Sequence, residues 1–157
     1  MKKLLFLLLL LSVTALFGNA QTNENRDEKQ LFIEAVRFLE ENPLGEKSVE
    51  TRKWALKYSQ GVDAPTCDQL LFLFFPKEVR GEVMSQYMMK VAAFELEQTG
   101  KKYNVNDAHV AGLESALKVY EKIIEKEPGA KYKKLDSLVQ LKNKNQLGNF
   151  VKNSNCK

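Results

Sequence analysis

The sequence predicts an all-α fold, a single small domain of about five to six helices with helical-hairpin packing. Apolar residues recur at intervals of three and four along most of the chain, which is the spacing of one helix face. Asn, Pro and Gly residues separate these periodic stretches and mark the helix ends. No pair of segments shows the pattern that two partner strands would need.

The first two helices are predicted between residues 27 and 59. The first covers 27–41 with its apolar residues three and four apart, and an Asn-Pro pair at 42–43 ends it. The second covers about 48–59. Its start is predicted at Ser48, whose hydroxyl can accept hydrogen bonds from free backbone N–H groups. Gly61 is expected to close it as a left-handed residue.

Six consecutive apolar residues, Leu70 to Phe75, form the third element. Such a run is compatible with a buried helix or a buried strand, and periodicity does not separate the two. Thr66 and Gln69 have the spacing of a capping box, and no second strand candidate is present for pairing. We therefore predict a short helix, after which Pro76 opens the next one.

Three more helices are predicted in the second half of the chain. They cover 77–98, about 107–126 and about 132–144, and the middle one has the most regular amphipathic pattern. A Thr-Gly pair at 99–100 ends the first of these helices, and a Pro-Gly pair at 128–129 ends the second. Residues from about 145 to 157 are rich in Asn and Lys, and we expect a loosely held tail there.

Part of the predicted fifth helix resembles a known repeat. Its matching residues stand at offsets of 0, 4, 7 and 12 from the first: Ala116, Tyr120, Ile123 and Pro128. Residues 112–128 thereby resemble the second helix of a tetratricopeptide repeat. The first-helix half departs from the family, because Tyr103 and Asn104 stand where a Leu-Gly pair belongs. The resemblance implies a helical-hairpin scaffold for protein or peptide recognition, and it carries over no catalytic residues.

Residues 1–20 have the pattern of a cleaved export signal. Two lysines precede an apolar run from Leu4 to Phe17, and Gly18 to Ala20 form a small-x-small cleavage pattern. The run is shorter than the roughly 20 residues of a permanent membrane helix. The segment also resembles export signals of Bacteroidetes-type bacteria. We therefore expect a mature domain of residues 21–157 that is periplasmic or secreted and has no permanent membrane span.

The charge of the chain is partly due to this signal. Removing Lys2 and Lys3 lowers the 24 basic residues to 22 against 20 acidic ones, so the net charge falls from +4 to +2. The remaining charge is uneven, with −4 over residues 21–50 and +6 over residues 101–157. We interpret the lysines as a solvated helix surface. Nucleic acid is not an expected partner, because no aromatic-basic interleaving or Gly-rich phosphate loop is present.

The chain has two cysteines, Cys67 and Cys156. In an exported protein an even pair first indicates a disulfide, which here would tie the C-terminal tail to the middle of the domain. The alternatives are a buried, unpaired Cys67 and a free Cys156 in a frayed tail. Neither cysteine belongs to a C-x-x-C pair, so the sequence offers no support for a zinc or redox site.

No motif for catalysis, a cofactor or a metal is recognisable. His109 is the only histidine, and we expect it on the surface of the fifth helix. Met84, Met88 and Met89 are expected to pack in the core rather than bind copper. A nucleophile elbow, a metalloprotease helix motif and a phosphate loop are all absent from the sequence. We predict no cofactor, no metal and no enzyme activity.

The sequence thus favours an exported helical module that binds another envelope or secreted protein. Oligomeric state is left open. An alternative is a carrier of a small apolar ligand, and a third hypothesis is a hydrolase without a recognisable motif. The candidate apolar binding residues, which in a carrier would line a cavity between helices, are Phe72, Phe74, Phe75 and Tyr87. The run from Leu70 to Phe75 is interpreted either as a core helix or as a partly exposed patch.

Overall fold

The structure is a computed structural model that describes residues 27–154 and residue 156, and this part of the chain is all-α, without a strand. The predicted export signal lies outside the described residues. The helices are α1 (Glu28–Glu41), α2 (Glu46–Ser59), α3 (Asp68–Leu71), α4 (Gly81–Glu97), α5 (Val105–Lys126), α6 (Lys133–Asn143) and α7 (Leu147–Asn153), with a 3-10 turn at Pro128–Ala130. None of them combines the length and apolar character that a membrane-crossing helix requires.

α4 and α5 form a central antiparallel hairpin. Gly112 of α5 faces α4, where an added Cβ would lie 2.6 Å from Val91 Cγ2 and 2.9 Å from Tyr87 Cδ2. The missing side chain at this position therefore lets the two helices approach closely. In the connection between them, Gly100 has a φ of +78°, and it ends α4 in the left-handed conformation that favours glycine.

Two hydrophobic cores share α4. One face of α4 packs against α5 and belongs to a core that also includes residues of α3, α6 and α7, and α6 and α7 pack on α5. An adjacent face, with Met89, Ala92 and Ala93, packs against the α1–α2 hairpin. The first core contains Leu70, Phe74, Val83, Tyr87, Val91, Leu113, Leu117, Ile123, Leu135 and Val151, and the second contains Phe32, Ile33, Val36, Leu39 and Ala55. α4 is consequently the element that connects the two halves of the domain.

Three predicted helix starts differ from the structure. α2 begins at Glu46, and Ser48 is fully buried inside its first turn, where the hydroxyl donates a hydrogen bond to the Asn42 carbonyl. α3 has Cys67 rather than Thr66 at its N-cap, with no side-chain capping bond. Pro76 starts a turn, and α4 begins five residues later at Gly81.

The end of α2 also differs from the prediction. Gln60 is the C-cap and has right-handed helical geometry, and Gly61 does not have a positive φ. The chain leaves α2 through consecutive turns, in which the N–H groups of Gly61 and Val62 donate to the carbonyls of Tyr58 and Ser59. These bonds satisfy helix-end carbonyls without a left-handed residue.

The C-terminal segment from 145 to 157, which we expected to be loosely held, contains α7. Leu147 and Val151 of α7 are buried in the first core. Beyond α7, Cys156 is bonded to Cys67 in a disulfide whose Cα atoms lie 5.0 Å apart. The segment is rich in Asn and Lys, but Leu147 and Val151 are four residues apart and lie on one face of a helix. These two apolar residues pack α7 against the core.

Candidate binding site

The apolar run from Leu70 to Phe75 is divided between core and solvent. Leu70 and Phe74 are 0% and 3% exposed, whereas Phe72 and Phe75 are 63% and 58% exposed. After α3 the chain continues in tight turns, with the N–H groups of Leu73 and Phe74 bonded to carbonyls three residues earlier. The rings of Phe72 and Phe75 meet edge to face with centroids 5.2 Å apart. The run is therefore both a core segment and an exposed apolar patch.

An apolar groove lies between α4 and the segment that joins α2 to α3. It has a volume of about 170 Å³, and Val62, Ala64 and Leu71 are among the residues of one wall. Tyr87 and Met88 of α4 contribute to the opposite side. Met88 is 40% exposed, which corrects the expectation that all three methionines of α4 pack in the core. A partly exposed methionine is an adaptable apolar contact for a ligand.

The four aromatic residues proposed for a carrier cavity do not surround one space. Tyr87 lines the groove, and Phe74 is buried against it with ring centroids 5.3 Å apart. Phe72 and Phe75 lie on the outer surface. The groove is also smaller than the roughly 300 Å³ at the lower end of small-molecule sites. This geometry disfavours the carrier arrangement with those four residues.

His109 is completely buried, so its predicted surface location is wrong. Its Nδ1 lies 2.9 Å from the hydroxyl of Tyr87, and its Nε2 has no hydrogen-bond partner among the described residues. Burial lowers the pKa of His109 and raises that of Tyr87, so both are neutral at pH 7. A signal was available in the sequence, because His109 falls four residues before Leu113 on the apolar stripe of α5.

A buried polar network connects α1, α4 and α5. Gln86 Nε2 donates to the carbonyl of Val36 at 3.0 Å and to the Ser115 hydroxyl at 2.8 Å. Ser115 in turn donates to Glu40, which also accepts a hydrogen bond from Lys118 at 2.7 Å. The Ser115 hydroxyl is buried, accepts a hydrogen bond from Gln86 and donates one to Glu40. The network therefore holds the three helices together, and we do not interpret Ser115 as a nucleophile.

This network has little signal in the sequence. Gln86 and Ser115 are isolated polar residues within apolar stretches, and Glu40 stands at the end of the predicted first helix, where a carboxylate is commonly solvated. In the structure Glu40 is largely buried, with 14% of its side chain exposed. Its partners Ser115 and Lys118 follow it by more than 70 residues. Only the packing of α5 against α1 brings them together.

Glu40 should make the stability of the fold sensitive to acid. Burial opposes ionisation of this carboxyl, but hydrogen bonds from Lys118 and Ser115 outweigh it and hold its pKa below the ordinary 4.5. Its stabilising contribution is complete above the unfolded-state pKa and is lost as pH falls through the folded-state pKa. At pH 7, E40Q is expected to lower the free energy of unfolding by about 1.5 kcal/mol.

Urea unfolding at pH 7, 4.5 and 3 measures this effect. The difference between wild type and E40Q should shrink as the pH is lowered, because protonation makes the Glu40 side chain neutral, as the Gln side chain already is. E125Q is the control, since Glu125 is exposed on the same helix that carries Ser115 and Lys118. A gap between E40Q and wild type that stays constant down to pH 3 would contradict the assignment.

Within the described residues, no group of three or more His, Cys, Asp and Glu side chains is placed to hold a metal ion. Comparisons with protein-family models, with curated proteins and with solved structures gave no match to this chain. The resemblance of residues 112–128 to a tetratricopeptide helix therefore stays a prediction.

Proposed function

We propose that this chain is an exported, non-catalytic helical module that binds another envelope or secreted protein through the patch formed by Phe72 and Phe75. The observation that carries the proposal is the exposure of both rings beside each other on a well-packed domain. Covering one such side chain contributes about 1.5–3 kcal/mol, and aromatic residues are enriched at binding hot spots. The export signal predicted from the sequence supports a partner outside the cytoplasm.

The position of the patch also supports a binding role. It follows Cys67 by five to eight residues, and the disulfide to Cys156 anchors that end of the segment. Between Phe72 and Phe75, buried Phe74 packs on Tyr87 of α4. The two exposed rings are thus presented from a fixed backbone. Such pre-organisation lowers the entropy cost of association.

Site-specific photo-crosslinking in cells that export the protein tests this function. A photoreactive phenylalanine analogue at position 72 should yield one discrete crosslinked species, and the same analogue at position 49 should yield none. Val49 is a suitable control because it is an apolar residue of α2 whose exposure of 62% is close to that of Phe72. The double variant F72S/F75S should fold normally, since surface changes alter stability by about 0.5 kcal/mol or less. Equal crosslinking at positions 49 and 72 would exclude the patch as the interface.

A further inference from the structure

The apolar groove continues into a second, acidic pocket. Val62 lines both. Met88 and Ala92 of α4 line the groove, whereas Glu95 of α4 and Thr99, which follows the end of that helix, line the acidic pocket. Met88, Ala92 and Glu95 are spaced by four and three residues, so they lie on one face of α4. We name the combined feature the α4 cleft. Its acidic pocket has a volume of about 520 Å³ and opens widely to solvent.

The dimensions of the α4 cleft match an extended peptide. Met88 and Thr99 are separated by eleven residues, which corresponds to about 16 Å along a helix. An extended chain covers that length in about five residues. The opposite wall runs from Tyr58 to Cys67 and includes an irregular segment at 63–67. A short linear segment of a partner would therefore contact both walls along its length.

The two ends of the α4 cleft differ in charge. Asp63 and Glu95 line the acidic pocket, and neither forms an ion pair with another described residue. Tyr58, another lining residue, has its pKa raised by desolvation and by the nearby charges of Asp27 and Glu28. The cation hydrogen-bonded to the lining is Lys29, whose Nζ lies 3.4 Å from Thr99 Oγ1. Two carboxylates of the lining thus stand against the single ammonium group that is hydrogen-bonded to it.

We propose that an extended segment of a partner protein lies along the α4 cleft, with an apolar side chain in the groove and a lysine or arginine in the acidic pocket. The inference rests on the proposed function, since it assumes a protein partner. A purely apolar ligand would make no favourable interaction with the carboxylates of Asp63 and Glu95. A cationic side chain in the acidic pocket, two helical turns along α4 from the groove, is attracted by both carboxylates. The acidic pocket begins about 10 Å from Met88 along α4. Side chains four positions apart share one face of an extended chain and lie about 13 Å apart, so we place the cation four positions after the apolar side chain.

Fluorescently labelled model peptides test this inference by anisotropy at low salt. The first probe is Phe-Ala-Ala-Ala-Lys, the second has Glu in place of Lys, and the third has Ala in place of Phe. We expect the first probe to bind about tenfold more tightly than the second and about tenfold more tightly than the third. Raising the salt to 0.5 M should remove most of the advantage of lysine over glutamate.

Two variants with the same change in net charge separate the acidic pocket from the overall field of the protein. D63N/E95Q should abolish the preference for the lysine peptide, whereas E50Q/E125Q, which neutralises two exposed carboxylates elsewhere, should retain it. In addition, M88D should weaken the two peptides that carry Phe and should not weaken the peptide that carries Ala in its place, because Met88 lines the groove. Circular dichroism of each variant confirms that the helices are intact.

Several outcomes would overturn the inference. They are an absence of binding by all peptides at millimolar concentration, an unchanged lysine preference in D63N/E95Q, and self-association of the free protein that D63N/E95Q abolishes. The last result would identify a second copy of the chain as the occupant. Persistent crosslinking at position 72 in any of these cases would leave the proposed function standing, because Phe72 is not part of the α4 cleft.

Discussion

Reducing the disulfide between Cys67 and Cys156 should lower the free energy of unfolding by about 4–5 kcal/mol. The bond joins residues 89 positions apart, and in the chain-entropy account a loop of that length restricts the unfolded chain to this extent. In the folded state it holds the residues after α7 next to α3, so reduction should also increase fraying at that end. With a slope near 1.5 kcal/mol per M, the urea midpoint should fall by about 3 M.

Paired urea titrations with and without a thiol reductant provide the measurement. The variant C67A/C156A is the control, because it should resemble the reduced wild type and show no response to reductant. Hydrogen exchange at Leu147 and Val151 reports whether α7 opens with the disulfide. A midpoint that reductant leaves unchanged in the wild type, with both thiols shown to be free, would contradict the predicted stabilisation.

G112A should destabilise the fold by about 2 kcal/mol, although alanine normally favours a helix over glycine by about 1 kcal/mol. The added methyl group would lie 2.6 Å from Val91 and 2.9 Å from Tyr87, closer than atoms can pack. Relieving the overlap requires α4 and α5 to separate, and overpacking of this kind costs about 1–3 kcal/mol. Because Tyr87 also bonds to His109, the displacement would disturb that contact.

The chain offers a matched control in α7. Gly148 is also helical, and an added Cβ there meets nothing within 4 Å, so G148A should stabilise the protein by up to about 1 kcal/mol. The two identical substitutions should therefore differ by about 3 kcal/mol in urea unfolding. Removing the Val91 methyl groups in V91A/G112A should cost less than the sum of the single variants. Similar effects of G112A and G148A would show that α4 and α5 do not need the close approach.

The fold class followed from the sequence because the apolar stripes of α1 and α5 are regular and long. The environment of a side chain could not be predicted where the residue that contacts it is distant in the sequence. Ser48 has the chemistry of a helix cap, yet its hydroxyl is used inside the first turn of α2 to bond the preceding loop. His109 is polar by type but lies on a stripe that α4 covers. In both cases the tertiary contact decided against the local preference.

The candidate site was predictable only in part. The apolar run from Leu70 to Phe75 identified the segment that carries the exposed patch. Which of its rings face solvent depends on the turns after α3, and these turns could not be predicted from the run. The acidic pocket had no signal in the sequence, because Asp63 and Glu95 are 32 positions apart and neither belongs to a motif. The close packing of the segment after α2 against α4 places them in one pocket.

The disulfide also has a mechanical consequence. It closes the chain from Cys67 to Cys156 into a covalent ring that contains α3 to α7, and α1 and α2 precede that ring. If the chain were pulled at residues 27 and 156, only the 40 positions up to Cys67 could be extended, about 140 Å of chain. The residues between Cys67 and Cys156, which would add about 300 Å, could not be extended because the disulfide bears the force. The α1–α2 hairpin and the wall of the α4 cleft that follows it would unfold under such a force, whereas the hairpin of α4 and α5 would not be stretched.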